Sequence, residues 1–375
     1  MKYYIIAGEA SGDLHGSNLI RAIKKIDKEA LFRVWGGDMM ETAGAHLFRH
    51  FRDHAFMGLM PVLKHYGIIR KNFKLVVKDL EDYKPDALIL IDYSGFNLRV
   101  AKKVKHLGFK IFYYISPQVW AWRHYRANTI KKLIDKMFSI LPFEKEFYKK
   151  YDFDVEYVGH PLLDSIGNFR SAFKISRDEF FKKNNLSDRP LIVMLPGSRK
   201  QEIQVMFPIM LKSSQNFSEY QFAIAGTSAI DTEIYKQYMK EYNVNLFFDQ
   251  TYELLSFAKA AMVTSGTATL ETALLKIPQV VCYRAGFISY YIVKSMVNVK
   301  YISLVNLIMD KQVIPELIQN DLTVDNLTGE VEKLVGNPLF RAEMLKEYDL
   351  LEEKLGKPGA SMRTATGICQ ALTNA

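Results

Sequence analysis

Short apolar runs alternate along the chain with longer segments in which apolar residues recur every three or four positions. The runs are apolar throughout rather than alternating, a pattern typical of strands buried on both faces of a parallel sheet. Residues 12–28, 61–83 and 96–107 show the helical spacing. Because predicted strands and helices alternate from one end to the other, the pattern indicates an α/β fold.

The alternation forms two series, separated by a polar and charge-rich segment at residues 164–189. We predict two Rossmann-like, doubly wound domains facing a cleft, with residues 1–165 in the first and 166–340 in the second. Residues 341–375 are expected to form helices that pack back on the first domain or exchange with a partner protomer. The predicted strands are residues 3–7, 32–35, 87–91, 111–115, 137–141, 155–158, 191–195, 221–225, 246–248, 261–264 and 279–283.

Composition agrees with a folded protein, since 49% of the 375 residues are hydrophobic and 24% are charged. The net charge of +9 suits an anionic partner, which could be nucleic acid, a phosphorylated substrate or a membrane surface. Cys282 and Cys369 are far apart and show no metal-ligand spacing, so we expect no metal and a reduced, cytoplasmic setting. No signal peptide and no transmembrane segment is predicted.

The loop after the first predicted strand contains glycines at positions 8, 12 and 16 and leads into a helix. Glycines allow the backbone to approach a ligand, and a helix start offers free N–H groups. Glu9, Asp13 and His15 are ionisable groups at this strand end and are candidates for catalysis. The alternative is that Ser11 or Asp13 caps the helix.

Asp92 follows the buried run at residues 87–91. A carboxylate at the carboxyl end of a buried strand could take a proton from an attacking hydroxyl group, as a general base does. The competing interpretation is that Asp92 caps the helix that begins near Phe96 or braces a neighbouring loop.

Aromatic and basic residues are interleaved at positions 113–126, where Trp120, Trp122, Arg123 and Arg126 lie. Aromatic rings stack on sugars or bury in acyl chains, and arginines bind phosphate. The same mixture suits single-stranded nucleic acid, and each tryptophan alone is compatible with interior packing.

Two strand ends in the second series carry motifs that suit an anion. PGSR at residues 196–199 could place Arg199 against a diphosphate, although the Gly-Lys-Ser/Thr of a P-loop is absent. SGTATLE at residues 265–271 offers hydroxyl and amide groups at a helix start, and Glu271 could bind both ribose hydroxyls. Each motif alone also fits a turn or a cap, but two in one domain favour a nucleotide-diphosphate site.

Five motifs, in order, resemble those of the lipid-A-disaccharide synthase family. They are AGEASGD at 7–13, SPQVWAWR at 116–123, GHP at 159–161, LPGSR at 195–199 and SGTATLE at 265–271. PFE at 142–144 and SLVNL at 303–307 extend the resemblance.

The resemblance implies a GT-B architecture and an inverting glycosyltransferase without a cofactor. The expected reaction moves 2,3-diacylglucosamine from UDP to 2,3-diacylglucosamine 1-phosphate, forming a β-1,6-linked disaccharide. The enzyme would be peripheral on the cytoplasmic face of the inner membrane, without a nucleic-acid partner, and a homodimer stays open. The implied donor-binding residues are Ser198, Arg199, Glu202, Ser265, Gly266, Thr267, Glu271 and Asn306.

One position departs from the family pattern. Many relatives read Ile-Asp-x-Pro-Asp-Phe-Asn, where the second aspartate is the favoured base, and this chain has Gly95 there. Either Asp92 is the base, or the first loop supplies it from Glu9, Asp13 or His15, or the acceptor needs little help. Two rival functions are an epimerase-like UDP-sugar enzyme of the same fold and a non-catalytic module that binds nucleic acid or membranes.

Overall fold

The computed structural model describes residues 1–53, 66–122, 124–286 and 300–373. The chain divides into two compact units. Unit 1 contains residues 1–161 and the segment from residue 357 onward, and unit 2 contains residues 162–356. The chain therefore passes from unit 1 to unit 2 and returns for its last helix.

Within the described residues, unit 1 contains a parallel sheet of seven strands in the order β3-β2-β1-β4-β5-β6-β7. The strands are β1 Lys2–Ala7, β2 Leu31–Gly36, β3 His46–His50, β4 Ala87–Ile91, β5 Lys110–Tyr114, β6 Lys136–Ser139 and β7 Glu156–Tyr157. The helices are α1 Ala10–Ile26, α2 Asp38–Thr42, α3 Tyr66–Tyr83, α4 Ser94–Val104, α5 Val119–Trp122, α6 Arg126–Leu133 and α7 Glu144–Lys149.

In its described part, unit 2 contains a parallel sheet of six strands in the order β10-β9-β8-β11-β12-β13. The strands are β8 Leu191–Leu195, β9 Gln221–Gly226, β10 Val244–Phe248, β11 Ala258–Thr264, β12 Gln279–Tyr283 and β13 Glu316–Ile318. The helices are α8 Pro161–Ala172, α9 Arg177–Lys183, α10 Lys200–Ser214, α11 Thr232–Met239, α12 Thr251–Ser256, α13 Thr267–Leu274, α14 Leu304–Met309, α15 Val324–Gly336 and α16 Pro338–Leu355. Helix α17, Ala360–Thr373, belongs to unit 1.

Apolar clusters cover both faces of the first sheet. One cluster joins the sheet to α1 and α17, and the other joins it to α3, α4 and α6. Strand β4 is buried along its whole length, which explains why its sequence is apolar at every position. Full burial of one such side chain stabilises the fold by about 1.5–3 kcal/mol.

The strand order reverses at one point in each sheet. In unit 1 this switch point lies between β1 and β4, and in unit 2 it lies between β8 and β11. The connections leave the two central strands toward opposite sides, so a crevice opens at their carboxyl ends. All four strands end in motifs singled out from the sequence.

The sequence pattern placed the domain boundary near residue 165, and the structural division falls between Pro161 and Leu162. The two C-terminal helices belong to different units. Helix α16 belongs to unit 2, whereas α17 packs against α1 in unit 1 of the same chain. Among the described residues, no helix is both long enough and apolar enough to cross a membrane.

Candidate functional site

The loops after β1 and β4 meet at the switch point of unit 1. The ring of Tyr93 lies against Gly8, where an added Cβ would come within 2.4 Å of the ring carbon Cγ. Only glycine fits there, because real Cβ contacts do not come this close. The charge of Glu9, which lies at the N-cap position of α1, adds to burial in raising the pKa of Tyr93. Glu9 and the β4 loop therefore share one site.

Asp92 stands in a turn with an unusual backbone. Asp92 and Tyr93 have φ of +44° and +46°, a region that residues with side chains rarely adopt. Hydrogen bonds hold the turn, because the buried Asn97 amide donates to the Asp92 carbonyl oxygen at 2.8 Å and the Tyr113 hydroxyl donates to the same oxygen at 2.5 Å. Strained backbone of this kind is common at functional sites.

Asp92 as a whole residue is exposed to solvent. The protein packed around it raises its pKa, and a hydrogen bond from the Tyr93 backbone offsets part of the rise. A raised pKa suits a group that accepts a proton during a reaction. Helix α4 has Tyr93 at its N-cap with no side-chain cap, so Asp92 does not have the capping role considered above.

Asp13 braces a neighbouring loop. Its carboxylate accepts hydrogen bonds from the backbone N–H groups of Gly37 at 2.9 Å, Met39 at 3.0 Å and Met40 at 3.1 Å. It therefore caps the start of α2 rather than that of α1. Both carboxylate oxygens of Asp13 accept hydrogen bonds, and the residue is buried.

His15 is buried below this loop, and a second buried histidine, His160, lies close enough to affect it. Burial lowers the pKa of His15 to about 4. Burial and the charge of His15 lower the pKa of His160 to about 3. Both imidazoles are therefore neutral near pH 7. His160 belongs to the GHP motif, but sequence reasoning gave it no role.

Glu144 organises the aromatic segment, a role that sequence reasoning missed. Its Oε1 accepts hydrogen bonds from the Ser116 hydroxyl and from the Trp120 indole N–H, the latter at 3.2 Å. Its Oε2 accepts from the backbone N–H of Leu141 at 3.1 Å. Burial raises the pKa of Glu144 to about 7, against the effect of these hydrogen bonds. The PFE and SPQVW motifs are thus two halves of one hydrogen-bonded cluster.

The aromatic segment divides into an inner and an outer part. Trp120 packs edge-on against Phe143, with 4.8 Å between ring centroids, and is half-buried. Trp122 and Tyr125 are exposed by 42% and 69%, so they form the apolar surface. Arg126, at the start of α6, is half-buried beside them in sequence. Arg123 lies outside the described residues.

The loop after β8 contains Gly197, Ser198 and Arg199. Gly197 has φ of +119°, and a Cβ there would lie 2.6 Å from Cβ of Glu202, so glycine is required. Ser198 and Arg199 are exposed. Glu202 turns inward to the loop, accepting from the N–H of Ser198 at 3.0 Å and of Arg199 at 3.2 Å, and pairing with the Arg199 guanidinium at 3.0 Å. Glu202 is therefore a brace of this loop.

The loop after β11 lies beside the β8 loop at the switch point of unit 2. Helix α13 has Gly266 at its N-cap, with φ of +155°, and no side chain caps it. Thr267 is exposed at the first position of the helix. The Ser265 hydroxyl donates to the carbonyl oxygen of Ile302 at 3.1 Å, which ties the strand end to the SLVNL segment.

Asn306 is buried and holds that segment together. Its Oδ1 accepts from the N–H of Val313 at 2.8 Å and of Ile314 at 3.0 Å, and its Nδ2 donates to Glu316 at 2.8 Å. Glu316 also accepts from the Ser303 hydroxyl at 2.6 Å. The amide of Asn306 is therefore hydrogen-bonded within this loop on both its oxygen and its nitrogen.

Glu271 lies one turn into α13. Its Oε1 accepts a hydrogen bond from the Tyr252 hydroxyl at 2.8 Å. Burial raises the pKa of Glu271, and this hydrogen bond offsets part of the rise. Among the described residues, no three histidine, cysteine, aspartate or glutamate side chains converge as a metal site.

Comparison with known proteins gives a family match over most of the chain. The family described as lipid-A-disaccharide synthetase matches residues 3–362. The lipid-A-disaccharide synthase of Syntrophus aciditrophicus is 41% identical over 370 residues, which cover 96% of this chain and 95% of the relative. That of Geobacter sulfurreducens is 35% identical over 375 residues, covering 98% and 96%.

Solved structures share the fold at low identity. UDP-GlcNAc 2-epimerase from Neisseria meningitidis, bound to UDP-GlcNAc, has a TM-score of 0.70 at 13% identity and covers 99% of this chain and 100% of its own. The calicheamicin glycosyltransferase CalG4 has a TM-score of 0.61 at 13% identity, covering 99% and 98%. The predicted fold class, two Rossmann-like α/β domains of the GT-B type, is confirmed.

Proposed function

The chain belongs to the lipid-A-disaccharide synthetase family, and on that premise we propose which of its residues carry the reaction. The protein is a hexosyltransferase. It transfers 2,3-diacylglucosamine from UDP to 2,3-diacylglucosamine 1-phosphate, forming the β-1,6-linked disaccharide 1-phosphate and UDP. The acceptor 6-hydroxyl replaces the diphosphate at the anomeric carbon in one displacement, with inversion.

Unit 2 binds the UDP part of the donor in this proposal. One observation carries it: the PGSR loop follows β8 and the SGTATLE loop follows β11, and these two strands are adjacent at the switch point. The Ser198 loop and the start of α13 at Thr267 face one crevice and suit the oxygens of a diphosphate. Negative charge grows on that diphosphate as the sugar leaves, and these groups stabilise it.

Arg199 supplies the positive charge. Its ion pair with Glu202 is exposed, and exposed pairs contribute only about 0–1 kcal/mol. The guanidinium can therefore leave Glu202 for a diphosphate at little cost and bind it through two N–H groups. Gly266 keeps the helix start open, and Ser265 and Asn306 hold the surrounding loop in place. Glu271 accepts hydrogen bonds from the ribose.

Unit 1 binds the acceptor and supplies the base. We assign this role to Asp92, because the residue is exposed, its carboxyl group has a raised pKa and its backbone is held in a hydrogen-bonded turn. Glu9 lies in the same site and is the second candidate. His15 and Asp13 support the loop from below. Trp122, Tyr125 and nearby basic residues form an apolar and basic surface, which we assign to the acyl chains and to the inner-membrane surface.

The test combines turnover with binding. Purified protein is mixed with UDP-2,3-diacylglucosamine and 2,3-diacylglucosamine 1-phosphate, and UDP and disaccharide are measured. Arg199→Ala is expected to weaken UDP binding about tenfold or more by calorimetry, because a charge-assisted contact is lost. The control is Arg189→Ala. Arg189 precedes β8 and so lies at the amino-terminal end of that strand, whereas Arg199 follows its carboxyl-terminal end. Unchanged UDP affinity in Arg199→Ala would contradict the assigned donor site.

A further assay arm addresses the epimerase-like alternative. UDP-N-acetylglucosamine is supplied alone, without an acceptor. The proposal expects the nucleotide sugar to be recovered unchanged. Formation of a soluble epimer would instead support the rival function.

A further inference from the structure

Tyr252 forms a hydrogen bond with Glu271, although no sequence motif marks it. Tyr252 lies in α12, which follows β10, and Glu271 lies in α13, which follows β11. These two strands are not neighbours, because β9 and β8 stand between them. The hydrogen bond of 2.8 Å from the Tyr252 hydroxyl to Oε1 of Glu271 therefore links two helices that follow the carboxyl ends of non-adjacent strands.

The ring of Tyr252 is itself held in place. Phe169 packs edge-on against it, with 5.4 Å between ring centroids. Phe169 in turn stacks on Phe173 at 4.8 Å, and Phe173 packs against the core of unit 2. A ring fixed on one side presents its hydroxyl group at a defined point with little loss of side-chain entropy.

The electrostatics make Tyr252 a donor. Burial raises the pKa of Tyr252, and the charge of Glu271 raises it further, so the hydroxyl keeps its proton. Its hydrogen bond favours the charged form of Glu271, against the effect of burial. In the part of the chain that the structure describes, Oε2 of Glu271 accepts no hydrogen bond. A charged carboxylate with one oxygen held and one available is a strong acceptor for a sugar hydroxyl.

We infer that Tyr252 is a positioning residue that fixes the Glu271 carboxylate for the ribose hydroxyls of the donor nucleotide. This inference rests on the proposed function, which places UDP in unit 2 with Glu271 at the ribose. Tyr252 does not touch the reacting atoms. It sets the preference of the site for a nucleoside diphosphate with an intact ribose diol.

The experiment compares Tyr252→Phe with the wild-type enzyme using two probes, UDP and 2′,3′-dideoxy-UDP. Loss of one hydrogen bond to the carboxylate is expected to weaken UDP binding about fivefold. Binding of the dideoxy probe is expected to change less than about twofold, because it lacks the hydroxyls that Glu271 contacts. The KM for the donor rises while kcat stays within about twofold, since the ribose is remote from the anomeric carbon.

Tyr238→Phe is the matched control. Tyr238 is a half-buried tyrosine on α11 that packs edge-on against Phe207, and its variant is expected to bind both probes like the wild type. Equal weakening of both probes by Tyr252→Phe would indicate a general structural role and overturn the inference. Unchanged UDP binding would overturn it as well.

Glu271→Gln distinguishes the proposed ribose site at Glu271 from the positioning role of Tyr252. If it binds UDP as tightly as the wild type, the ribose site itself is wrongly assigned and the proposed function fails at this residue. If Glu271→Gln weakens UDP binding but Tyr252→Phe does not, the donor site stands and only the positioning role of Tyr252 is lost.

Discussion

Asp92 and Tyr93 share a turn that most side chains would avoid, and its support comes from buried polar groups. Asn97 and Tyr113 both donate to the carbonyl oxygen of Asp92, so the strain is opposed by fixed hydrogen bonds. Asparagine tolerates the left-handed region about as well as aspartate does. Substitution by asparagine therefore removes the charge and keeps the backbone.

Asp92→Asn is expected to lower kcat by about 10²-fold or more, because general-base catalysis is lost. UDP affinity should be unchanged, since the proposed nucleotide site is in the other unit. Turnover by coupled detection of UDP and binding by calorimetry check both parts. Glu9→Gln is measured beside it, and a full rate in Asp92→Asn with a large loss in Glu9→Gln would transfer the role to Glu9.

Gly95 offers a second test of the base. A Cβ at Gly95 would meet no atom within 4 Å, and the residue lies in the first turn of α4, where a carboxylate is favoured. Gly95→Asp is therefore expected to fold normally. In the Asp92→Asn background it should restore part of the turnover, because it returns the aspartate that many relatives carry. A double variant no faster than Asp92→Asn would count against this.

His160 predicts a pH dependence of stability. Its pKa is about 3 in the folded state and 6.5 in its usual, unfolded setting. Between these two values the imidazole binds a proton in the unfolded chain but not in the folded chain. Stability is present above pH 6.5 and is lost as the pH falls toward 3. At pH 5 the loss from this group is about 2 kcal/mol.

His160→Asn should therefore lose about 2 kcal/mol less than the wild type between pH 8 and pH 5 in urea unfolding. The exposed His106, changed to asparagine, is the control and should follow the wild type. Parallel pH curves for His160→Asn and the wild type would contradict the burial argument.

Central strands were recognised from the sequence, and so were the edge strands β7 and β10, which were predicted at residues 155–158 and 246–248. The buried runs at residues 87–91, 191–195 and 279–283 coincide with β4, β8 and β12. Strands β3 and β13 were missed, and both lie at sheet edges. The side chains of β3 are partly exposed, so its sequence lacks the continuous apolar pattern. Such a strand forms because it pairs with a neighbouring strand, and its own composition does not mark it.

Helix α17 depends on close packing at one glycine. A Cβ at Gly367 would come within 2.5 Å of the Phe138 ring. Gly367→Ala should destabilise unit 1 by about 1–3 kcal/mol, because the helix must move from the sheet. Gly329→Ala, on α15 in open space, is the control and should raise stability by about 0.5–1 kcal/mol through helix propensity. Chemical unfolding measures both, and equal shifts would argue against the packing role.

The chain as a whole builds two units with separate cores and one return crossing. The last helix contributes Ala365 and Ile368 to the core of unit 1. Unit 1 is therefore completed only when the end of the chain is present. The net charge of +9 comes from basic residues spread along the chain. It therefore favours binding to an anionic surface but does not indicate which part of the protein binds.

In the proposed function, two exposed aromatic residues of unit 1 form the membrane-binding surface. Trp122→Ala combined with Tyr125→Ala is expected to weaken binding to anionic vesicles of phosphatidylglycerol and phosphatidylethanolamine by about tenfold, because two exposed rings no longer enter the interface. Leu339→Ala is the control, since Leu339 is 82% exposed on α16 in unit 2. Vesicle sedimentation measures the binding. Equal losses in both variants, or none in the first, would contradict the proposed surface.

The sequence by itself determined the fold class, the buried strands and the family, because these depend on local periodicity and on motifs read along the chain. It also marked the strand ends at Asp92, Arg199 and Glu271, since loops at the carboxyl ends of parallel strands carry ligand-binding residues.

Only the tertiary structure decided which polar residues face a ligand and which hold the protein together. Asp13 bonds to Gly37, Glu144 to Trp120 and Tyr252 to Glu271, each across many residues of sequence. The sequence shows an aspartate or glutamate in the same way whether its carboxylate faces solvent or accepts hydrogen bonds from buried N–H groups. Its partners, and therefore its role, are fixed when sheets and helices bring distant segments together.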